Sequence, residues 1–523
     1  MAGIESLLPA LVAVVVALTL KRTVIALFVA VWVGGLVISQ WHPMAGLEQA
    51  FEWITAVVTD EWNARFLILI SLLGSGAALM HRIGGSAALA ASLSRRIATA
   101  RQVQFLAYIL GLLVFFNDYI NTVIVGNATR SLARKYRVST EKMSYILDST
   151  AAPVATIGPV SDWIGYQVGL IAAVFAASHW IGASPYVVFL QSIPWNFYCV
   201  LTLVAVPTII FFGEDFGPMR DAEQRSHALD QPVAPGDVPL SDVEDDLGEV
   251  HEPADAGLHH FILPIVALLA GTAWGAWQSA GPEAGISPGA ILAEADISVA
   301  LLAGAVAMTF TGLLLAVTRG MNLGDCEHAI LAGFRTMLPA LVIMILAWSI
   351  AAACDALGTA DYVRTLTAPW MTSAMLPLVV FLTAAVISFT TGSSWGAMAI
   401  LTPIALPIAM GLTESANDMT VVQIVIGATF SGAVFGDHCS PISDTTVMSS
   451  IFGGADHIAH VRTQIPYALL PAGISTLLYV GSAVIDRPAV LLLLGIGIQL
   501  AIIRWLGKRR RIAPEMSAPR YED

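Results

Sequence analysis

The chain has 523 residues, of which 56% are hydrophobic and only 12% charged. That balance excludes an ordinary soluble domain and makes this a membrane protein. The formal net charge of −13 is concentrated: Glu214–Asp255 holds 13 acidic residues against two arginines, so the rest of the chain is close to neutral and offers no surface for nucleic acid.

The N-terminus opens Met-Ala-Gly-Ile-Glu, without a basic n-region, and continues into two further apolar segments. It is therefore expected to be retained rather than cleaved as a signal peptide. Residues 1–64 read as scaffold helices, with Lys21-Arg22 marking a cytoplasmic turn. Residues 65–213 form a first repeat. In it, Arg95, Arg96 and Arg101 precede Gln104–Thr129, and Arg130, Arg134, Lys135, Arg137 and Lys142 follow it. Basic residues at both ends put both ends in the cytoplasm, so the segment is expected to be re-entrant, a hairpin over about 103–130. Its tip would be Asn117-Asp118-Tyr119-Ile120-Asn121-Thr122. The stretch 143–180 is too long for one plain helix and contains Pro159-Val160-Ser161-Asp162, so it reads as a broken helix. Residues 214–257, acidic and rich in Pro, Ser and Gly, read as a disordered cytoplasmic linker.

Residues 258–337 read as further scaffold helices, and 338–486 as a second repeat. Ser75–Gly84 aligns with Ser349–Gly358 at an offset of 274, and Pro159-Val160-Ser161-Asp162 returns as Pro441-Ile442-Ser443-Asp444 at an offset of 282. The second hairpin is placed over 376–412 and the second broken helix over 421–452. The loop Thr413–Thr420 contains Glu414 and Asp418 but no Lys or Arg, so it reads as external. One repeat is basic where the other is not, the pattern of inverted topology. Residues 487–523 supply a last helix and a basic cytoplasmic tail. The expected fold is an all-α polytopic membrane protein with two inverted repeats, about eleven crossings, the N-terminus outside and the C-terminus inside.

The chemistry follows from ligand type. Proline frees backbone carbonyls, and carbonyls, hydroxyls and carboxylates are hard oxygen ligands suited to a small alkali cation. A carboxylate near the bilayer midplane can hold the cation or a proton, which is a physical basis for exchange. Asp118, Asp162, Asp437 and Asp444 are the candidate Na+ ligands, and Asp148 is a weaker candidate on a half-helix. The hairpin tips contribute Asn117, Asn121, Thr122, Thr391, Ser393 and Ser394 to the expected substrate site. The breaks contribute Ser161, His438, Ser440, Ser443 and Thr445. His438-Cys439 has no neighbour at zinc-ligand spacing, and the four cysteines are far apart, so neither a resident metal nor a cofactor is expected. His457 and His460 read as interfacial helix residues beside Arg462 rather than as a pH-sensing pair. Trp348 reads as packing, Ser349 as facing the cavity, and Trp395 as closing the site. No Lys or Arg accompanies either tip or break, Arg130 being closest in sequence, which argues against anionic cargo.

Gly436-Asp437-His438-Cys439-Ser440-Pro441-Ile442-Ser443-Asp444-Thr445-Thr446 resembles the signature of the NhaC family of sodium/proton antiporters. Asp118-Tyr119-x-Asn121-Thr122, Asp148-Ser149-Thr150-Ala151-Ala152-Pro153-Val154 and Gly392-Ser393-Ser394-Trp395-Gly396 are similar to that family too. The resemblance runs from about 60 to 485 and implies a secondary transporter, not an enzyme, of the bacterial inner membrane. It implies Na+ and H+ as the transported ions, a homodimer, and an elevator-like moving domain. Related members commonly carry a carboxylate where this chain has Asn117, a departure that bears on coupling or substrate. The family is functionally mixed, so the alternative expectation is an ion-coupled carrier of an organic acid, amino acid or amine.

Overall fold

The computed structural model describes residues 3–20, 23–85, 97–115, 118–158, 185–213, 215–240, 257–281, 295–358, 375–412 and 419–508, with isolated positions between them. Asn117, Asp162, Lys21, Arg22, Arg95, Arg96, Glu414, Asp418 and the tail beyond Lys508 lie outside the described residues. Every long element among the described residues is a helix.

The first half comprises α1 (Leu8–Leu20), α2 (Thr23–Ile38), α3 (Pro43–Thr59), α4 (Glu61–Arg82), α5 (Ala100–Leu113), α6 (Asp118–Lys135), α7 (Thr140–Thr150), α8 (Ala152–Ile157), α9 (Pro185–Ser192) and α10 (Phe197–Phe212). A short α11 (Gly217–Leu229) follows. The second half comprises α12 (His259–Ala280), α13 (Ile297–Thr318), α14 (Leu323–Ala356), α15 (Leu376–Thr391), α16 (Ser394–Leu412), α17 (Thr420–Cys439), α18 (Asp444–Gly453), α19 (His457–Gly481) and α20 (Pro488–Lys508).

Side-chain caps fix several helix starts. Asp60 accepts from the Asn63 amide at 2.9 Å, Ser139 from the Lys142 amide at 3.2 Å, and Asp456 from the Ala459 amide at 2.9 Å. Each satisfies an amide that has no intrahelical partner. Among the described residues five helices are long and apolar enough to span a bilayer alone: parts of α4, α12, α13, α17 and α20. Two bent pairs, α2 with α3 and the α9 segment with α10, raise that number to seven.

Small residues set the scaffold contacts. α12 and α13 pack closely through Gly271, Gly275 and Gly304, where an added Cβ would meet neighbouring atoms within 2.9 Å. Helices in lipid associate through such close backbone approach. α4 packs on both α13 and α14.

The two halves interlock. The first hairpin, α5 and α6, shares a core with α18 from the second half. The second hairpin, α15 and α16, shares a core with Trp163, Val168 and Ile171, which follow the first Pro-x-Ser-Asp phrase in sequence; Pro159, Val160 and Asp162 of that phrase lie outside the described residues. Trp163 lies edge-on to Trp395 with ring centroids 5.9 Å apart. At the offset of 282, α7 with α8 (140–157) corresponds to α17 (420–439), so the helix ends match the two copies of the Pro-x-Ser-Asp phrase.

The acidic segment departs from its sequence reading. Its first part is helix α11, with Met219, Ala222 and Ser226 buried along one face. Arg225 donates to Glu141 at 2.8 Å, Lys142 pairs with Asp215, and Glu223 accepts from the Ser139 amide at 2.8 Å. Burial pushes the Glu223 carboxyl above its ordinary range, and the Asp215 charge adds to the shift. The disordered-linker expectation is therefore corrected for 217–229: an apolar face and ion pairs anchor this stretch to α7. The stretch 241–256 lies outside the described residues.

Candidate functional site at the hairpin tips and the second break

The second break, Ser440–Ser443, separates α17 from α18 and is framed by hydroxyl and carboxylate groups. α17 ends because Pro441 cannot donate to the helical ladder. Its last turn carries Asp437, which is 1% exposed. Ser443 Oγ donates to Asp437 Oδ1 and Thr445 Oγ1 to Asp437 Oδ2, both at 2.9 Å. Asp444 opens α18, where a carboxylate complements the positive end of the helix dipole. The Thr445 amide donates to Asp444 Oδ1 at 2.9 Å.

The hairpin tips close on this break. Tyr119, in the first turn of α6, donates its hydroxyl to Asp444 Oδ2. Asp118 is buried beside it and accepts from the Tyr119 amide at 3.0 Å. From the other hairpin, the Phe389 carbonyl accepts from Ser440 Oγ at 2.9 Å. Gly392 turns the second tip with φ +66, and a Cβ there would lie 2.6 Å from the Ile442 carbonyl. Only glycine fits both the left-handed turn and the close approach. Gly436 lets α17 meet α15 closely, since its Cβ would sit 2.3 Å from the Ala385 carbonyl.

A cavity of about 350 Å³ opens where these parts meet. Asp118, Ser393, Ser394, Asp444 and Thr445 line it, all of them candidates from sequence. Phe66 of α4, Trp348 of α14, Tyr119, Trp163 and Trp395 supply aromatic walls. Among the described residues the lining contains no Lys, Arg or His. Arg130 instead faces α18, with Nη1 3.5 Å from the Ile451 carbonyl.

The other candidates serve the frame. Asn121 Nδ2 donates to the carbonyls of Gly111, Val114 and Thr150 at 2.6, 3.1 and 2.9 Å, tying the two arms of the first hairpin to α7. Thr122 donates to the Asp118 carbonyl at 3.0 Å, and Ser161 to the Ala155 carbonyl at 2.6 Å. Thr391 donates to the Ile387 carbonyl at 2.8 Å, within its own helix. Ser349, expected at the cavity, donates to the Ile345 carbonyl at 2.7 Å and does not line it. Trp348, expected to be packing, does line it.

A second polar cluster lies behind the break. The His438 ring, expected at the ion site, bonds to Tyr198 Oη at 2.6 Å and Ser149 Oγ at 3.2 Å. Gln464 Nε2 donates to the His438 carbonyl at 2.6 Å and to Asp148 Oδ2 at 2.5 Å. His460 Nε2 lies 3.4 Å from the same carboxylate oxygen. His457 joins Ser450 Oγ at 2.9 Å and the Pro441 carbonyl at 2.7 Å. Both histidines are buried, which corrects their reading as interfacial residues: α19 runs under the break instead of along a surface.

Helices of this length and hydropathy, one of them broken beside buried carboxylates, define a multi-pass membrane protein. A family model described as the Na+/H+ antiporter family matches residues 154–484, and the chain belongs to that family. It is therefore a membrane antiporter, whose family implies Na+ and H+ as partners. An uncharacterized protein of Haemophilus influenzae is 28% identical over 490 residues, covering 91% of this chain and 90% of the relative. The malate-2H+/Na+-lactate antiporter of Bacillus subtilis is 29% identical over 167 residues, 32% of this chain and 34% of that protein. The arginine/ornithine antiporter ArcD of Halobacterium salinarum is 27% identical over 194 residues, 37% of this chain and 38% of that one.

Proposed function

We propose that the protein exchanges Na+ for H+ by alternating access, at the junction of the hairpin tips and the second break. The observation that carries this reading is the Asp437–Ser443–Thr445 triangle beside Asp444 and Asp118. It gathers three carboxylates and two hydroxyls, with no basic side chain among the described residues lining the adjoining cavity. Such a group is stable in an apolar interior only when protons or a cation offset the negative charge. Filling it with one or the other in turn is exchange.

The two hairpins and two breaks act as inverted repeats, and their interlocked unit moves against the scaffold in an elevator-like step. The matched helix ends at the offset of 282 and the shared cores support this assignment. The scaffold, α1–α4 and α12–α14, carries a homodimer contact. The protein lies in a bacterial inner membrane with its N-terminus outside and its C-terminus cytoplasmic, as the basic-residue pattern requires.

The experiment is a proton-flux assay in proteoliposomes, pulsed with Na+, Li+ and K+ in turn. Na+ is expected to evoke proton movement across the membrane. A chain that moves no protons with any of the three cations is not this antiporter.

A further inference from the structure

The cavity is larger and more aromatic than a bare cation needs. At roughly 30 Å³ per water in the liquid, its volume of about 350 Å³ matches about a dozen water molecules. Na+ takes oxygen ligands, and the lining carries them on Asn63, Asp118, Ser393, Ser394, Asp444 and Thr445. Most of the other lining residues carry rings. Phe66 meets Tyr119 edge-on at 5.4 Å, Trp163 meets Trp395 edge-on at 5.9 Å, and Trp348 projects from α14. Indole and phenyl rings offer nothing to a sodium ion that water would not do better, whereas aromatic walls with nearby carboxylates attract organic cations. A carboxylate or zwitterionic cargo would need a basic partner, and the described lining residues supply none.

We infer that this cavity takes a small organic ammonium ion as cargo, its charged nitrogen against Asp118 and Asp444 and its carbon body among the tryptophans. The inference rests on the exchange reading above, because the carboxylates that hold the ammonium are those that trade it for Na+ or H+. The cavity spans the scaffold, through Phe66 and Trp348, and the interlocked hairpins, through Tyr119, Trp163 and Trp395. An organic cation seated there touches both bodies at once, so its entry and release are tied to their relative position.

The test uses the full-length protein in proteoliposomes, with ethanolammonium, phenethylammonium and tetramethylammonium as probes and malate and lactate as anionic controls. The ammonium ions are expected to evoke proton or Na+ counter-movement, or to compete with Na+-evoked proton flux; the anions do neither. Trp348→Leu should weaken the apparent ammonium affinity by about tenfold, and Trp348→Phe, which keeps a π face, should recover most of it. Na+-evoked proton flux that no ammonium probe changes would overturn the inference and leave the exchange reading standing. Ammonium-evoked proton flux without any Na+ response would do the reverse. Should the Trp348 variants fail to fold, the wild-type competition decides alone. Flux evoked by the anions, or equal ammonium affinity in folded Trp348→Leu, also counts against the inference.

Discussion

Asp444 and Asp148 are both carboxylates within the apolar body, and their surroundings differ in kind. Asp444 is half-buried, lines the cavity, and takes its side-chain bond from the tip of a hairpin, Tyr119. Asp148 is 1% exposed and is held by two side chains of α19, Gln464 and His460. The first arrangement leaves a charge where a cation can reach it. The second encloses a charge in fixed donors, which costs desolvation and contributes a unique geometry in return. Gln464 connects the two regions, because its amide also holds the His438 carbonyl next to Asp437. The proposed exchange site thus adjoins a hydrogen-bonded base, the arrangement that a precisely positioned ion site needs.

This contrast can be broken most severely at Asp444. Asp444→Asn is expected to lower Na+-evoked proton flux at least about a hundredfold, with little change in thermal stability measured in detergent. Asp437→Asn should act similarly. His460→Ala strips one of two side-chain partners from Asp148, and leaving a buried group without a hydrogen-bond partner costs about 1–3 kcal/mol. The expected outcome is a marked fall in unfolding temperature, with transport per folded molecule reduced far less than in Asp444→Asn. Tyr119→Phe removes one hydrogen bond to a carboxylate, about 1.5–3 kcal/mol. A rise in the Na+ concentration for half-maximal flux of about tenfold or more is expected; an unchanged value would uncouple the tip from the break. Gly392→Ala acts on the fold and on the site together: a side chain in the left-handed region costs about 1–2 kcal/mol, and its Cβ would also meet the Ile442 carbonyl at 2.6 Å, so a lower unfolding temperature and a weaker Na+-evoked flux are expected.

The sequence showed the second break clearly, and for a physical reason. A proline between two aspartates in an apolar chain is both a helix stop and a polar site, so Asp437, Ser443, Asp444 and Thr445 stood out together. Asp118 was legible in the same way, at the interrupted centre of a segment with basic flanks. Trp348 and Phe66 were not. A Trp on an apolar helix reads as core, and whether it faces a cavity depends on how α14 is rotated against tips far away in sequence. The Asp148–His460 pair joins residues separated by 312 positions, with no spacing signal to reveal it. Helix α11 was missed for another reason: its acidic composition outweighed the buried face of Met219, Ala222 and Ser226, whose three- and four-residue spacing was present to be read.

The most direct test compares two variants at equal reconstituted protein, by Na+-evoked change of internal pH in proteoliposomes. The predicted result is a response near zero for Asp444→Asn and at least about a tenth of the wild-type response for Asp148→Asn. A wild-type response in Asp444→Asn, with loss confined to Asp148→Asn, would contradict the placement of the exchange site at the cavity.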